Sequence, residues 1–381
     1  MDNLTHSLVG LAAAKAGLEK LSPGATTLCV LAANAPDADI LVLIFGGRWA
    51  FLHHHRGITH SIVGSLVLAL ALPLVFHAGD RLIAWGRKRE ATTRLTGLFI
   101  ASIVATATHP LMDWMNNYGV RPLLPWNPKW FYGDFVFIID PFLWIVLGGA
   151  VFLVTSKTRT HVIIWAVIAL VPSYLVLVGP GAPGPIVETL FRLLWIVALI
   201  LLAALYRRRI GGRRGARIAI AAVLTVTIYC GGLAAAHRVA LRQAQAQGER
   251  IASRNAEQVV EIAAMPTPAN PTHWICVMET DRATYRFQVS LLHATLAESD
   301  LVRYEKPQGL SAEKVSQAAR DGRSKVFLGF ARFPVVRVIG EDCATQTLVQ
   351  FADLRYTEPG RSRGTFSLDV PVDCPVLRAE R

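Results

Sequence analysis

Apolar residues along this chain come in long blocks separated by short polar ones. Five blocks are long enough to cross a bilayer as helices: roughly Thr59–Gly79, Leu95–Met112, Phe135–Thr155, Val162–Gly179 and Ile186–Tyr206. A sixth, Ile218–Ala236, is nearly as clear. A hydrocarbon core of about 30 Å needs roughly 20 residues of helix, and each block meets that length. Two shorter pieces, Leu4–Leu18 and Ala25–Ala35, precede them and read as short, tilted or half-buried helices.

After Ala236 the pattern changes. A polar helix-like stretch, Arg238–Ala264, leads to a Pro-rich break, "MPTPANPTHW". Short alternating runs follow: "HWICVMET", "TYRFQVSLL", "KVFLGFARF", "PVVRVIG", "TLVQFADLRY" and "GTFSLDVPV". Period-two alternation predicts strands, here a small, mostly antiparallel sheet. The expected fold is therefore mainly α. A polytopic membrane domain of about six to eight helices spans 1–236, a helical linker spans 237–265, and a β-rich soluble domain spans 266–381.

Composition follows the same division. Residues 1–236 carry ten acids and 20 Lys/Arg, whereas 237–381 carry 17 acids and 19 bases. The net charge of +12 does not point to nucleic acid, because many bases of the first part sit in short loops between apolar blocks. Such loops stay in the cytoplasm and set orientation. "DRLIAWGRKREATTR" holds five bases, "RRRIGGRRGAR" six and "SKTRTH" two, all on one side by alternation. The soluble domain and "FLHHHRGITHS" then lie outside, and with them "APDAD" if both short N-terminal helices cross. The N-terminus "MDNLTHSLVG" has no positive n-region and predicts no cleavable signal peptide. Cys29 and Cys230 fall in apolar runs as packing residues, and one disulfide among Cys276, Cys343 and Cys374 is compatible with an outer domain.

The candidate chemistry gathers on that outer side. His109 and Asp113 in "THPLMDW" are four apart and share a helix face. Asp37 and Asp39 follow Pro36 where an apolar helix breaks. His55 and His60 flank Gly57 in "HRGITHS", and His6 sits near the chain start. Ionisable groups inside apolar helices persist where they pair, face a cavity or bind a metal. Imidazole nitrogen with carboxylate oxygen is a donor set for a divalent ion, zinc above all. The seven residues His6, Asp37, Asp39, His55, His60, His109 and Asp113 exceed what one zinc needs and leave room for one to three ions. Asp37 reads as a ligand and Asp39 as base or bridge. His53 and His54 read as neighbours in a histidine run without a direct role. Trp126, Trp130, Tyr132 and Trp144 read as an interfacial aromatic belt or as a lid over the site.

"MDNLTHSLVG", "PDAD", "HHRGITHS" and "HPLMD" resemble the signature of bacterial inner-membrane proteins known as membrane-bound metal-dependent hydrolases. That group is related at a distance to zinc-dependent phospholipase C and single-strand nucleases. The resemblance covers about residues 1–150 and implies the same seven residues as metal ligands. Those soluble relatives use two His-x-x-x-acid pairs and an N-terminal Trp, while this chain has one such pair and starts Met-Asp. The function expected is hydrolysis of a phosphodiester or ester in a lipid or envelope component at the outer face of the inner membrane. Membrane lipids and a lipid-like substrate are the partners. The alternative is a non-enzymatic metal-binding scaffold or transporter-like protein whose outer domain binds a partner.

Overall fold

A computed structural model describes residues 1–179, 185–292, 301–340 and 346–373. The first third contains α1 (Asn3–Ala16), α2 (Ala25–Asn34), α3 (Val42–His54), α4 (Ile62–Gly86) and α5 (Leu95–Trp114). A loop leads to α6 (Pro141–Leu143) and α7 (Gly149–Thr155), joined by a π turn at Trp144–Gly148. Then come α8 (Arg159–Leu177), α9 (Pro185–Arg207) and α10 (Gly211–Arg254). Among the described residues, six helical runs are long and apolar enough to cross a membrane: Ala25–His54, Ile62–Gly86, Leu95–Trp114, Arg159–Leu177, Val187–Arg207 and Arg214–Arg254. The mainly α, polytopic architecture with a small β-rich C-terminal part is the one the apolar blocks predict.

The chain divides into two compact units. The first holds residues 1–39, 56–237 and 265–273. Its centre is a set of small side chains, Ala14, Ala25, Cys29, Ala32, Ala33, Ala101 and Ala105, where α1, α2 and α5 meet. Small residues let helix backbones approach closely, which matters where lipid removes the hydrophobic drive for helix association. α5 buries Leu98, Ala101, Ala105, Met112 and, on the same stripe, His109 and Asp113. It runs without a break through Pro110. Asp140 accepts hydrogen bonds from the amides of Phe142 (2.8 Å) and Leu143 (3.4 Å) and from the Tyr229 hydroxyl (2.9 Å), so this carboxylate caps α6.

The second unit holds residues 40–55, 238–264 and 274–381. The strands are β1 (Val259–Thr267), β2 (Asn270–Thr280), β3 (Ala283–Ser290), β4 (Val302–Glu305), β5 (Pro334–Ile339), β6 (Gln346–Asp353) and β7 (Ser367–Asp373), all in this unit except the β1–β2 hairpin end at 265–273, which belongs to the first. They form one sheet of order β1-β2-β3-β4 and another of order β5-β6-β7, with β3–β4, β5–β6 and β6–β7 antiparallel. α11 (Gly309–Ala318) and α12 (Gly322–Phe330) complete it. Ala318, Phe327, Val349, Phe351, Leu368 and Val370 form a core cluster.

Three local readings change. "KVFLGFARF" is mostly the helix α12, capped by Asp321 accepting from the Arg323 amide at 2.8 Å. Its buried residues, Ser324, Phe327 and Phe330, recur every three positions, a helical stripe that a run of Phe, Leu and Val disguises as strand. "MPTPANPTHW" is a β1–β2 hairpin end, with Pro266 tolerated because β1 is an edge strand. The block from Phe135 becomes helical only at Pro141. Cys276 is a free, buried thiol, and Cys343 and Cys374 lie outside the described residues.

Candidate metal centre

Two chain breaks and the unbroken α5 bring the ionisable residues of the first unit to one place. α2 ends at Asn34, and a 3-10 stretch, Ala35–Leu41, carries Asp37 and Asp39. Pro36 has no N–H to offer the Ala33 carbonyl three residues back. That carbonyl instead receives Nδ1 of His109 at 2.6 Å. This bond places the proton on Nδ1 and leaves Nε2 with a free lone pair, the usual arrangement behind a metal-binding imidazole. A second 3-10 turn, Ile58–His60, ends where the Ser61 hydroxyl caps α4 by accepting from the Gly64 amide at 3.0 Å. α4 passes so close to this turn that a Cβ on Gly64 would collide with the Ile58 carbonyl.

His60 is fully buried, with Nδ1 3.1 Å from the Thr59 hydroxyl and 3.4 Å from Asp39 Oδ2. The Thr59 hydroxyl and the Asp39 carboxylate hold Nδ1 of this ring, which leaves Nε2 to face the other donors. A neutral ring with its far nitrogen hydrogen-bonded is the form that ligates a cation.

Four atoms then converge. His60 Nε2 stands 3.1 Å from His109 Nε2, 3.3 Å from Asp37 Oδ1 and 3.3 Å from Asp113 Oδ2. His109 Nε2 stands 3.4 Å from both of those oxygens. Donors about 2.0–2.1 Å from one zinc-sized ion occupy tetrahedron corners about 3.3–3.4 Å apart. The observed separations fit that edge. Asp113 Oδ2 is buried without a hydrogen-bond partner, and so are both ring nitrogens of His6. Buried polar atoms without partners are costly, and a bound cation satisfies them. The donor set therefore fits a divalent ion held by Asp37, His60, His109 and Asp113.

The other predicted residues have different places. His6 stacks on His109, ring centroids 3.7 Å apart, with Nε2 3.4 Å from Asp113 Oδ1, beside the four donors and not among them. Asp39 stands behind His60, and its Oδ2 also accepts the Arg56 amide at 3.0 Å. His55 ends α3 in the second unit, stacked on Phe51 at 4.5 Å. His53 and His54 are exposed.

Arg56 is the residue the sequence motifs did not single out. Its guanidinium is buried, with Nη2 3.0 Å from Asp113 Oδ1. Nη1 donates to Asn116 Oδ1 (3.0 Å) and to the carbonyls of Gly119 (3.1 Å) and Asp113 (3.2 Å), and the group lies 4.5 Å over the Tyr118 ring. The Met1 amino group also meets Asp113 Oδ1. One carboxylate oxygen thus faces cations and the other faces the two histidines. The available signal was a lone arginine between acid-bearing motifs. Its partners, Asn116 and two carbonyls, carried no sequence mark.

The chain matches the model of the YdjM inner membrane protein family over residues 1–181. It is 30% identical over 143 residues to inner membrane protein YbcI of Escherichia coli (strain K12), covering 36% of this chain and 76% of that protein. It is 27% identical over 159 residues to the uncharacterized protein YfhP of Bacillus subtilis (strain 168), covering 38% of this chain and 43% of that relative. The chain thus spans under half the length of YfhP. No solved structure matches.

Proposed function

Since the chain belongs to the YdjM inner membrane protein family, we propose that its first unit is a membrane-embedded, metal-dependent hydrolase. The substrate is a phosphodiester or ester of a lipid or envelope component, reached from the outer face. The observation that carries this reading is the set of five donor separations of 3.1–3.4 Å among Asp37, His60, His109 and Asp113. A divalent ion held there supplies Lewis acidity, which makes water a nucleophile near neutral pH and polarises a phosphoryl or acyl oxygen.

The chain's own residues do the rest. Asp39 and the Ala33 carbonyl hold the two imidazoles with Nε2 turned inward. Arg56 holds Asp113 Oδ1, so that Oδ2 turns to His60 and His109. Asp37 keeps 12% of its side chain exposed, more than His60, His109 or Asp113, so among the four donors it is the one nearest outside water. An apolar cavity of about 220 Å³, lined by Leu4, Leu8, Trp144, Phe152, Trp165 and Trp195, touches the helix that bears His6 and suits a hydrocarbon tail.

A second reading has its own support. Four protein donors around one point resemble a closed structural site, whereas catalytic sites keep a position open. On that reading the protein is a metal-stabilised scaffold. The test is metal analysis of the purified protein, then hydrolysis of a panel of phosphodiesters and lipids with and without chelator. Chelator-sensitive turnover supports the hydrolase. Stoichiometric metal with no turnover on any member of the panel, and unfolding on chelation, supports the scaffold.

A further inference from the structure

The lower end of α1 borders a different site. His6 is near the start of this helix, and Lys15 is nine residues on, about 13 Å along the axis. Beyond it a crevice of about 800 Å³ opens among the ends of α1, α7, α9 and α10. Its walls bear Lys15, Lys20, Lys157, Arg207 and Arg209 against the single acid Glu19. Glu19 is already engaged by Lys15 at 2.6 Å. Among the described residues, the other four bases have no ion-pair partner.

Two further features point to an anion. Ser156 lines this crevice and is 8% exposed, and its buried hydroxyl oxygen has no hydrogen-bond partner. A buried hydroxyl surrounded by cations is completed by an oxygen that accepts its proton. α10 also begins here, on Gly211 and Gly212, with no acid in its first turn. A Cβ on Gly211 would collide with the Leu153 carbonyl, so only glycine lets the start of α10 sit against the end of α7. A helix start has free amides and a positive dipole end.

We propose that this crevice binds the phosphate of an anionic phospholipid headgroup. α9 and α10 are long enough to span a membrane, and the crevice lies where the first ends and the second begins, the kind of junction where headgroup phosphates sit beside a spanning pair. Tyr206, an amphipathic ring suited to that level, lines it too. Loop bases that merely set orientation need neither a crevice nor a buried hydroxyl. The site is separate from the metal centre and stands whether or not that centre is catalytic.

The test uses the full-length protein in neutral detergent. Short-chain phosphatidylglycerol, short-chain phosphatidylcholine and inorganic phosphate are titrated, with native mass spectrometry as readout. Phosphatidylglycerol is expected to bind and phosphatidylcholine to bind far less. Lys157→Gln with Arg207→Gln should weaken binding about 25-fold, some five-fold per base. Ser156→Ala, a gentler change, should weaken it a few-fold, while Arg87→Gln with Lys88→Gln, which removes equal charge from another loop, should leave it within two-fold. Competition by inorganic phosphate supports recognition of the phosphate group itself. Tighter binding of phosphatidylglycerol than of phosphate assigns the site to lipid, and the reverse order overturns that assignment. Equal binding of phosphatidylcholine, or an equal loss in the Arg87/Lys88 variant, overturns the site.

Discussion

Asp37 and Asp39 are separated by one alanine, yet they face different atoms. Asp37 Oδ1 meets Nε2 of both histidines, while Asp39 Oδ2 meets Nδ1 of His60. Their neutral variants should therefore differ in kind. Asp39→Asn should keep metal but bind it about 10–100-fold more weakly, the usual loss for a partner that orients a ligand. Asp37→Asn should lose more, and with it turnover, because it removes a charged donor from the site itself. Metal titration of the two purified variants decides this, and equal affinities would remove the distinction. His109→Ala and Asp113→Ala should likewise empty the site, whereas His53→Ala, at an exposed position, should leave metal content unchanged. Arg56→Ala should lower stability by about 3–5 kcal/mol, because it leaves the buried Asp113 carboxylate short of its charged partner. A thermal melt no lower than that of the parent protein would show that the Met1 amine and His6 suffice.

At the level of elements, the site depends on how closely backbones pass. α4 touches the turn bearing His60 at Gly64, where no Cβ fits. Gly64→Ala should push that turn aside and reduce bound metal, although Gly64 offers no ligand. Gly79→Ala, on the same helix with open space around it, should leave metal content at the parent level. Mass-spectrometric metal content after identical purification compares the two, and equal metal in both would show that the turn is not held by this approach. α12 shows the limit of reading elements from pattern. Val, Phe and Leu suit either a strand or a buried helix, and the Asp321 cap with a three-residue burial rhythm settles it as helix. Strands β5, β6 and β7 were legible because their alternation is flanked by turn residues.

On the scale of the whole molecule, orientation in the membrane is the property that decides which substrates reach the metal centre. By the loop bases, the soluble part is expected outside. Alkaline phosphatase fused after Ser253 should be active there, and green fluorescent protein at the same point should stay dark. Fluorescence without phosphatase activity would invert the topology and place the centre at the cytoplasmic face.

The sequence by itself determined that this is a multi-pass helical membrane protein with a β-rich C-terminal part. Long apolar blocks have few physical alternatives, since every backbone group in lipid must be hydrogen-bonded internally. It also marked candidates for metal chemistry, because ionisable side chains in apolar helices are rare; four of the seven, Asp37, His60, His109 and Asp113, come together. The tertiary structure decided the geometry: His60 and His109, 49 positions apart, meet at 3.1 Å, and His109 is aimed by a carbonyl 76 positions away. It also separated Asp37 from Asp39 and brought in Arg56. Spacing reports which side chains share a face of one element, whereas which oxygen meets which nitrogen depends on how distant elements pack. Local pattern carries no trace of that packing until the chain folds.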